Sequence, residues 1–396
     1  MKIGFFLSGF SSGGIYNQTM GFLNLIKKIP LHQNDEICIL SDEKVELDLS
    51  IKNFKVIYYK KTFLKRILFN VCDIIKKNKF IEFNKILNPF QNFLKKNNID
   101  LIVFAQPSFY SLYCDGTHFI INIWNTEIKK YYNFNEFISG GFEYQNKIIK
   151  FATEKAFKIF VFTERNKKDL KELYNCRDEK IMIQNLTPNL PYIFDKNQKL
   201  NYLEIFNNFK LNKEFKWFFY PAQFWPHKNH KYLLDVMKNL MKKKLNKIGF
   251  IFCGPDKGNL EYINKTVEKE NLNENVKILG FINDIEMISI YKNCQAVLMP
   301  TLLGRSSLPL LESLFFKKKI FYSKNILDDG LKKYVEEFDL NNPEDLSKKI
   351  EDFLKDNKNT NLNLKYNDCF NDKIFANNYQ KVFKEFKYLV SKWRNI

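Results

Sequence analysis

Residues 295–323, QAVLMPTLLGRSSLPLLESLFFKKKIFYS, decide how the chain is read. Gln295 to Pro300 is apolar and reads as a buried strand, Thr301 to Ser307 as a loop, Leu308 to Phe316 as a helix, and Lys319 to Ser323 as a second strand. Between the apolar runs the loop supplies Gly304, Arg305, Ser306 and Ser307, so backbone N–H groups and a guanidinium converge where a helix starts. A helix N-terminus attracts anions, phosphate above all. One turn into the helix, Glu312 stands as its only carboxylate among Leu308, Leu311, Leu314 and Phe315. A carboxylate enclosed by leucines needs a partner; the other reading is a solvated residue on an ordinary helix.

The chain has 396 residues, enough for two cores, and is 45% hydrophobic and 16% aromatic, which favours burial over disorder. No apolar run approaches the ~18 residues that cross a bilayer, and MKIGFFLSGF lacks the basic lead and cleavage site of a secretory leader, so a cytoplasmic location is expected. Seven scattered cysteines without Cys-x-x-Cys spacing read as reduced thiols, and no metal site is expected. The net charge of +19 is compatible with nucleic acid, an anionic membrane surface or an acidic substrate. Of the 63 basic residues only five are arginine, so the excess is a lysine bias. Against it, Arg305 in the anion-attracting loop is informative, because a guanidinium makes forked contacts that an ammonium cannot. No basic-aromatic module such as an RNA-recognition strand pair is visible, so no nucleic-acid partner is expected.

In chain order, KIGFFL reads as a buried strand, SGFSSGG as a glycine turn and the run from Ile15 to Ile26 as an amphipathic helix. Gly13 and Gly14 either let backbone approach a ligand closely or form a bare turn. Strand candidates follow at 36–41, 54–59, 100–105, 118–124 and 158–163, alternating with helical segments as a parallel α/β sheet requires. Within 60–98, Phe63, Leu64, Ile67, Leu68, Val71 and Ile75 form an apolar stripe flanked by Lys60, Lys61, Lys65, Arg66, Lys76 and Lys77. That helix either rests on anionic lipid or turns its apolar stripe to the core. Pro188 and Pro191 discourage helix in the polar stretch 186–210 and mark a domain boundary. Beyond it come a strand at 217–221, a loop at 222–229 and a helix from His230. Lys228, beside His227 and Asn229, can set a point cation against a diphosphate; the two histidines read as polar caps. Strands at 247–256 and 276–284 end in Gly254-Pro255 and Gly280-Phe281-Ile282, loops that would face the same crevice as 301–307. Residues 373–393 read as a long amphipathic helix with no strand after it.

Residues 295–323 resemble the nucleotide-sugar site of the retaining glycosyltransferases of family 4, whose motif is Glu, seven residues, Glu on a strand-loop-helix. Glu312 matches the second Glu and the first falls on Gly304; Leu302-Leu303-Gly304 followed by Leu308-Pro309-Leu310-Leu311-Glu312 resembles a variant of the family. The resemblance spans nearly the whole chain and is strongest over 215–350. It implies a GT-B fold: two Rossmann-like domains facing a central cleft, 1–205 for the acceptor, joined by the terminal helix 373–396, and 206–372 for the nucleotide-sugar. It also implies that Glu312 holds the donor's ribose, that Lys228 and the 304–308 loop hold its diphosphate, and that Phe281 and Ile282 cup the base. Gly13, Gly14, Asn229, Gly254, Pro255, Ser306, Ser307 and Leu308 complete the donor side. Gln223 stands where the family carries an Arg, with Arg305 as its substitute. Trp124 and Asn125 lie on the acceptor side, where Asn125 replaces an Asp and Ile128 a His.

The expected function is transfer of a hexose from a UDP- or GDP-type donor, with retention, to a glycan or lipid-linked acceptor in bacterial surface polysaccharide assembly. No cofactor or metal is implied, and the enzyme would be peripheral on the inner face of the cytoplasmic membrane. The alternatives are a GT-B sugar-nucleotide epimerase and a degenerate protein that binds donor without turnover.

Overall fold

The computed structural model describes residues 1–8, 13–43, 54–77, 87–131, 133–134, 140–304, 307–356, 366 and 370–393. They fall into two compact units, one of Met1–Asn133, Phe137–Asn185 and Asn371–Ile396, the other of Phe134–Glu136 and Leu186–Phe370.

The first unit is built on near-continuous apolar runs, as strands covered on both faces must be. These are β1 (Lys2–Leu7), β2 (Glu36–Ser41), β3 (Lys55–Tyr58), β4 (Leu101–Phe104), β5 (His118–Asn122), β6 (Lys158–Val161) and β7 (Ile181–Ile183). They pair in the order β3-β2-β1-β4-β5-β6-β7, all parallel, with Phe5 between Ile39 and Val103 at the centre. Among the described residues the helices before its last are α1 (Gly13–Ile26), α2 (Phe63–Lys77), α3 (Pro89–Lys96), α4 (Gly141–Lys155) and α5 (Glu164–Tyr174). Gly13 and Gly14 open α1 instead of forming a turn, and a Cβ on Gly14 would meet nothing within 4 Å. Only part of the apolar stripe of α2 is turned from the core: Leu68 and Val71 are half-buried, and the Ile75 side chain lies outside the described residues. Phe69 and Cys72, on the opposite side of the helix, are buried, while Phe63 and Leu64 are 78% and 65% exposed and Ile67 is exposed too.

The second unit has β8 (Lys216–Pro221), β9 (Ile248–Cys253), β10 (Val276–Ile278), β11 (Ala296–Met299), β12 (Lys319–Ser323) and β13 (Glu336–Phe338), in the order β10-β9-β8-β11-β12-β13. All pairs are parallel. Its helices are α6 (Leu190–Lys196), α7 (Tyr202–Asn207), α8 (His230–Lys242), α9 (Leu260–Lys269), α10 (Asp284–Asn293), α11 (Leu308–Phe315), α12 (Asp329–Lys332) and α13 (Pro343–Lys355). The stretch read as a non-helical linker thus holds α6 and α7. Pro191 sits in the first turn of α6, where its missing N–H costs no hydrogen bond. Leu190 and Tyr202 bury in the second core, so the first unit ends at Asn185 rather than at 205.

The last helix, α14 (Asp372–Trp393), belongs to the first unit. Its Tyr379 ring lies 6.0, 5.8 and 4.7 Å from those of Phe5, Phe22 and Phe160, and Asn122 Nδ2 donates to the Tyr379 hydroxyl at 3.3 Å. Among the described residues six free cysteines are buried; Cys369 lies outside them. Burial pushes the Cys38 and Cys294 thiols up to about 11, so they pack as small apolar groups. No described helix is long and apolar enough to cross a membrane.

Candidate functional site

In the second sheet the strand order reverses between β8 and β11, which pair through Phe219 and Val297. Ligands of open parallel sheets bind beyond the carboxyl ends of the strands at such a switch point. The segments leaving these two strands are the ones singled out from sequence, 222–229 and 301–307. They are joined directly: the Leu302 N–H donates to the His227 carbonyl at 2.8 Å.

After β8 the chain makes a one-turn 3₁₀ helix, Pro226–Lys228, stopped by Asn229 at φ 55°, a left-handed conformation that asparagine tolerates. The Tyr220 hydroxyl donates to the Lys228 carbonyl at 2.6 Å, fixing the backbone under the half-buried lysine. Gln223, where a second cation was expected, uses its side-chain oxygen to accept from Trp225 Nε1 at 3.0 Å. His230 is neither a cap nor a ligand. It is fully buried, stacked 4.3 Å from the Phe224 ring, with Tyr220 and Phe252 also against it. Burial pushes its imidazole down to about 3, so it is neutral.

Gly254 carries the next loop against this one. Its N–H donates to the Gly280 carbonyl at 2.8 Å, and Ala222 and Phe224 donate to the carbonyls of Cys253 and Pro255. At φ +150° a Cβ on Gly254 would lie 2.5 Å from the Ala222 carbonyl oxygen, so no other residue fits. Three strand ends are thereby laced edge to edge. Beyond β10, Ile282 is buried while Phe281 stands 65% exposed beside it.

The loop after β11 is pinned from below. Ser323 Oγ donates to the Thr301 carbonyl at 2.6 Å, Thr301 Oγ1 to the Leu303 carbonyl at 2.6 Å, and the Tyr322 hydroxyl to the Gly304 carbonyl at 2.9 Å. Gly304 has φ 112°, which a glutamate would adopt only under strain, so the family's first Glu and this backbone path are incompatible. Ser307 caps α11, its hydroxyl accepting from Leu310 N at 3.2 Å, and Pro309 occupies the first turn. Arg305 and Ser306 lie outside the described residues. Leu308 is buried, and Glu312 behind it is 4% exposed. Its Oε2 accepts from the Tyr291 hydroxyl at 2.7 Å, and its Oε1 is buried with no partner among the described residues. Burial pushes the Glu312 carboxyl up to about 7; the Tyr291 hydrogen bond opposes the shift and Asp284 adds to it.

Residues 201–368, which contain the entire second sheet, match the family described as glycosyl transferases group 1. The second unit is a group 1 glycosyltransferase domain. No curated protein matches the chain in sequence. Among solved structures, HepE of Anabaena in complex with UDP and glucose has a TM-score of 0.68 at 11% identity, covering 97% of this chain and 99% of that one. Sucrose-phosphate synthase from Thermosynechococcus elongatus gives 0.70 at 13%, covering 98% and 99%. WaaG, a glycosyltransferase involved in lipopolysaccharide biosynthesis, gives 0.62 at 13%, covering 96% and 95%. At these identities the likeness is one of fold, the paired Rossmann-like domains of the GT-B class.

In the other unit, Trp124 Nε1 donates to the Ala105 carbonyl at 3.3 Å and Asn125 Oδ1 accepts from Glu127 N at 2.8 Å, so both side chains serve local backbone. Ile128, where a catalytic His would stand, is fully buried and packs in the core. Tyr291, the partner of Glu312, escaped the sequence reading. It sits 21 residues away on α10 and differs in no local respect from any other apolar-face tyrosine.

Proposed function

We propose that this glycosyltransferase moves a hexose from a UDP- or GDP-type nucleotide-sugar, with retention of configuration, to a glycan or lipid-linked acceptor in bacterial surface polysaccharide assembly. The observation that supports the reading most is the Leu302-to-His227 hydrogen bond, which joins the loop of Lys228 to the loop that leads into α11 and Glu312. In this reading Lys228 and the N–H groups opening α11 receive the diphosphate and stabilise the charge that grows on the leaving nucleotide. A ribose hydroxyl donates to the unpartnered Oε1 of Glu312, while Phe281 and Ile282 meet the base, with Gly254 and Pro255 beside them. Leaving-group stabilisation and positioning then supply the catalysis, with no resident metal assigned a step. HepE with UDP and glucose, and WaaG with its lipopolysaccharide role, support the donor and acceptor classes respectively.

The exposed apolar stripe of α2, flanked by basic residues, supports work at the inner face of the cytoplasmic membrane. The test is a melting series with UDP, GDP and their sugars, followed by transfer to a lipid-linked glycan with the anomeric configuration of the product read by NMR. A nucleoside diphosphate that raises no melting temperature sinks the donor site. Donor binding without transfer leaves the degenerate binder, and interconversion of free sugar nucleotides leaves the epimerase.

A further inference from the structure

The face of α10 that carries Tyr291 holds a second carboxyl. Asp284, Met287, Ile288 and Tyr291 recur at helical spacing and so share one side of the helix. Along that side the Tyr291 hydroxyl meets Glu312 at 2.7 Å, and Met287 Sδ lies 3.9 Å from the Sγ of Cys253, the last residue of β9. Ile288 and Tyr291 are buried and Asp284 is half-buried, so the face opens to solvent toward the helix start, directly after the Gly280-Phe281-Ile282 loop. The helix start does not depend on Asp284 for its cap. Asn283 Oδ1 accepts from Glu286 N at 3.0 Å and Glu286 Oε2 accepts from Asn283 N at 2.9 Å, a closed capping box. No described residue hydrogen-bonds or ion-pairs the Asp284 carboxyl, and neither of its oxygens is sealed from solvent. Burial nonetheless raises it above the usual carboxylate range, and its charge is felt at Glu312, whose carboxyl it helps to push up. A partly desolvated carboxylate with no partner, two residues from Ile282, is costly unless a ligand with N–H donors completes it.

We propose that Asp284 selects the base of the donor: its carboxylate accepts the N1–H and the N2 amino group of a guanine, so the nucleotide-sugar is of the GDP class. The proposal rests on the donor site at this switch point, with Phe281 and Ile282 against the base, and narrows its donor to one class. Guanine carries two N–H donors side by side, which the two oxygens of one carboxylate accept together. Uracil offers a single N–H between two carbonyls, and those carbonyls would face the carboxylate oxygens acceptor to acceptor. Adenine presents one amino group beside a ring nitrogen that can only accept. The carboxylate thus discriminates as much by repelling the wrong base as by binding the right one.

Isothermal titration of the full chain with GDP, inosine diphosphate, UDP and ADP tests this; inosine diphosphate keeps guanine's N1–H and lacks only its N2 amino group. GDP should bind at least about tenfold more tightly than each of the others. Asp284→Asn keeps the shape but offers one acceptor and one donor. GDP should bind that variant about tenfold less tightly, its preference over inosine diphosphate should shrink to within about twofold, and UDP should bind no worse than to the parent. Failure of all four nucleotides to bind the parent sinks the donor site itself, and this proposal with it. UDP binding as tightly as GDP leaves the donor site standing and overturns the base assignment alone. Equal losses of GDP and UDP in the variant would overturn it by giving the carboxylate to the ribose, and an undiminished preference for GDP over inosine diphosphate would place guanine recognition elsewhere. Should the variant fail to fold, the parent decides: equal binding of GDP and inosine diphosphate refutes the proposal.

Discussion

Glu312 is a carboxyl whose charge its surroundings resist. Its ordinary value is 4.5 and burial raises it to about 7, so between those pH values the folded chain keeps a proton that the unfolded chain has lost. Stability from this group is therefore complete below about 4.5 and drains away as the pH rises through 7. Glu312→Gln should flatten that fall in urea titrations run from pH 4.5 to 7.5, and a variant whose pH dependence matches the parent refutes the shift. A ribose hydroxyl donated to Oε1 favours the charged form, so nucleotide binding near pH 6 should release a proton, read as a buffer-dependent enthalpy absent from the Gln variant. Lys228→Met should weaken nucleoside diphosphate binding by roughly 1.5–3 kcal/mol, the worth of a charged hydrogen bond, with the melting temperature nearly unchanged. Gly254→Ala should do the reverse: forcing a Cβ against the Ala222 carbonyl costs roughly 1–3 kcal/mol of stability before any ligand is added.

At the scale of elements, α11 offers a way to separate folding from binding. Ser307 accepts the Leu310 N–H, and Ser307→Ala should cost about 1 kcal/mol in denaturant titration. Ser307→Asp keeps a good cap and so the stability, yet places a carboxylate where the diphosphate is to sit; it should bind nucleotide worse than the Ala variant, and tighter binding would move the phosphate site elsewhere. This strand-loop-helix was legible because its signals are local: an apolar run, glycine and serine, then proline at the first helical turn. The same holds for β1, β2, β4 and β8, whose side chains are buried on both faces and announce themselves as unbroken apolar runs. Of the three-residue strands, β10 is marked by the Gly280-Phe281-Ile282 loop after it, while β7 and β13 carry too little pattern to register. In α6 the proline that argued against a helix turned out to start one. In α2 periodicity located the apolar stripe and left its purpose open, because a period of 3.6 says that a face is apolar and not what will cover it. The Tyr291 hydroxyl that meets Glu312 depends on a contact 21 residues apart in sequence and leaves no local trace.

For the whole molecule, the two cores predict two calorimetric transitions rather than one. A nucleoside diphosphate should raise only the transition of the unit holding Lys228 and Glu312. Tyr379→Ala should lower the other by removing a ring enclosed by Phe5, Phe22 and Phe160, a loss of about 3–5 kcal/mol, while leaving nucleotide binding intact. A single transition moved by both treatments would show the units to be thermodynamically fused. The return of α14 to the first unit also sets an order of birth. When β1 and α1 leave the ribosome, the helix that covers Phe5 and Phe22 lies roughly 350 residues away in the message still to be read. At ~5–20 residues per second that is a wait of about 20–70 seconds. The second unit, Leu186–Phe370, is complete before the first can close, so the domain encoded first is finished last. Through that interval an aromatic face stays open on the nascent chain.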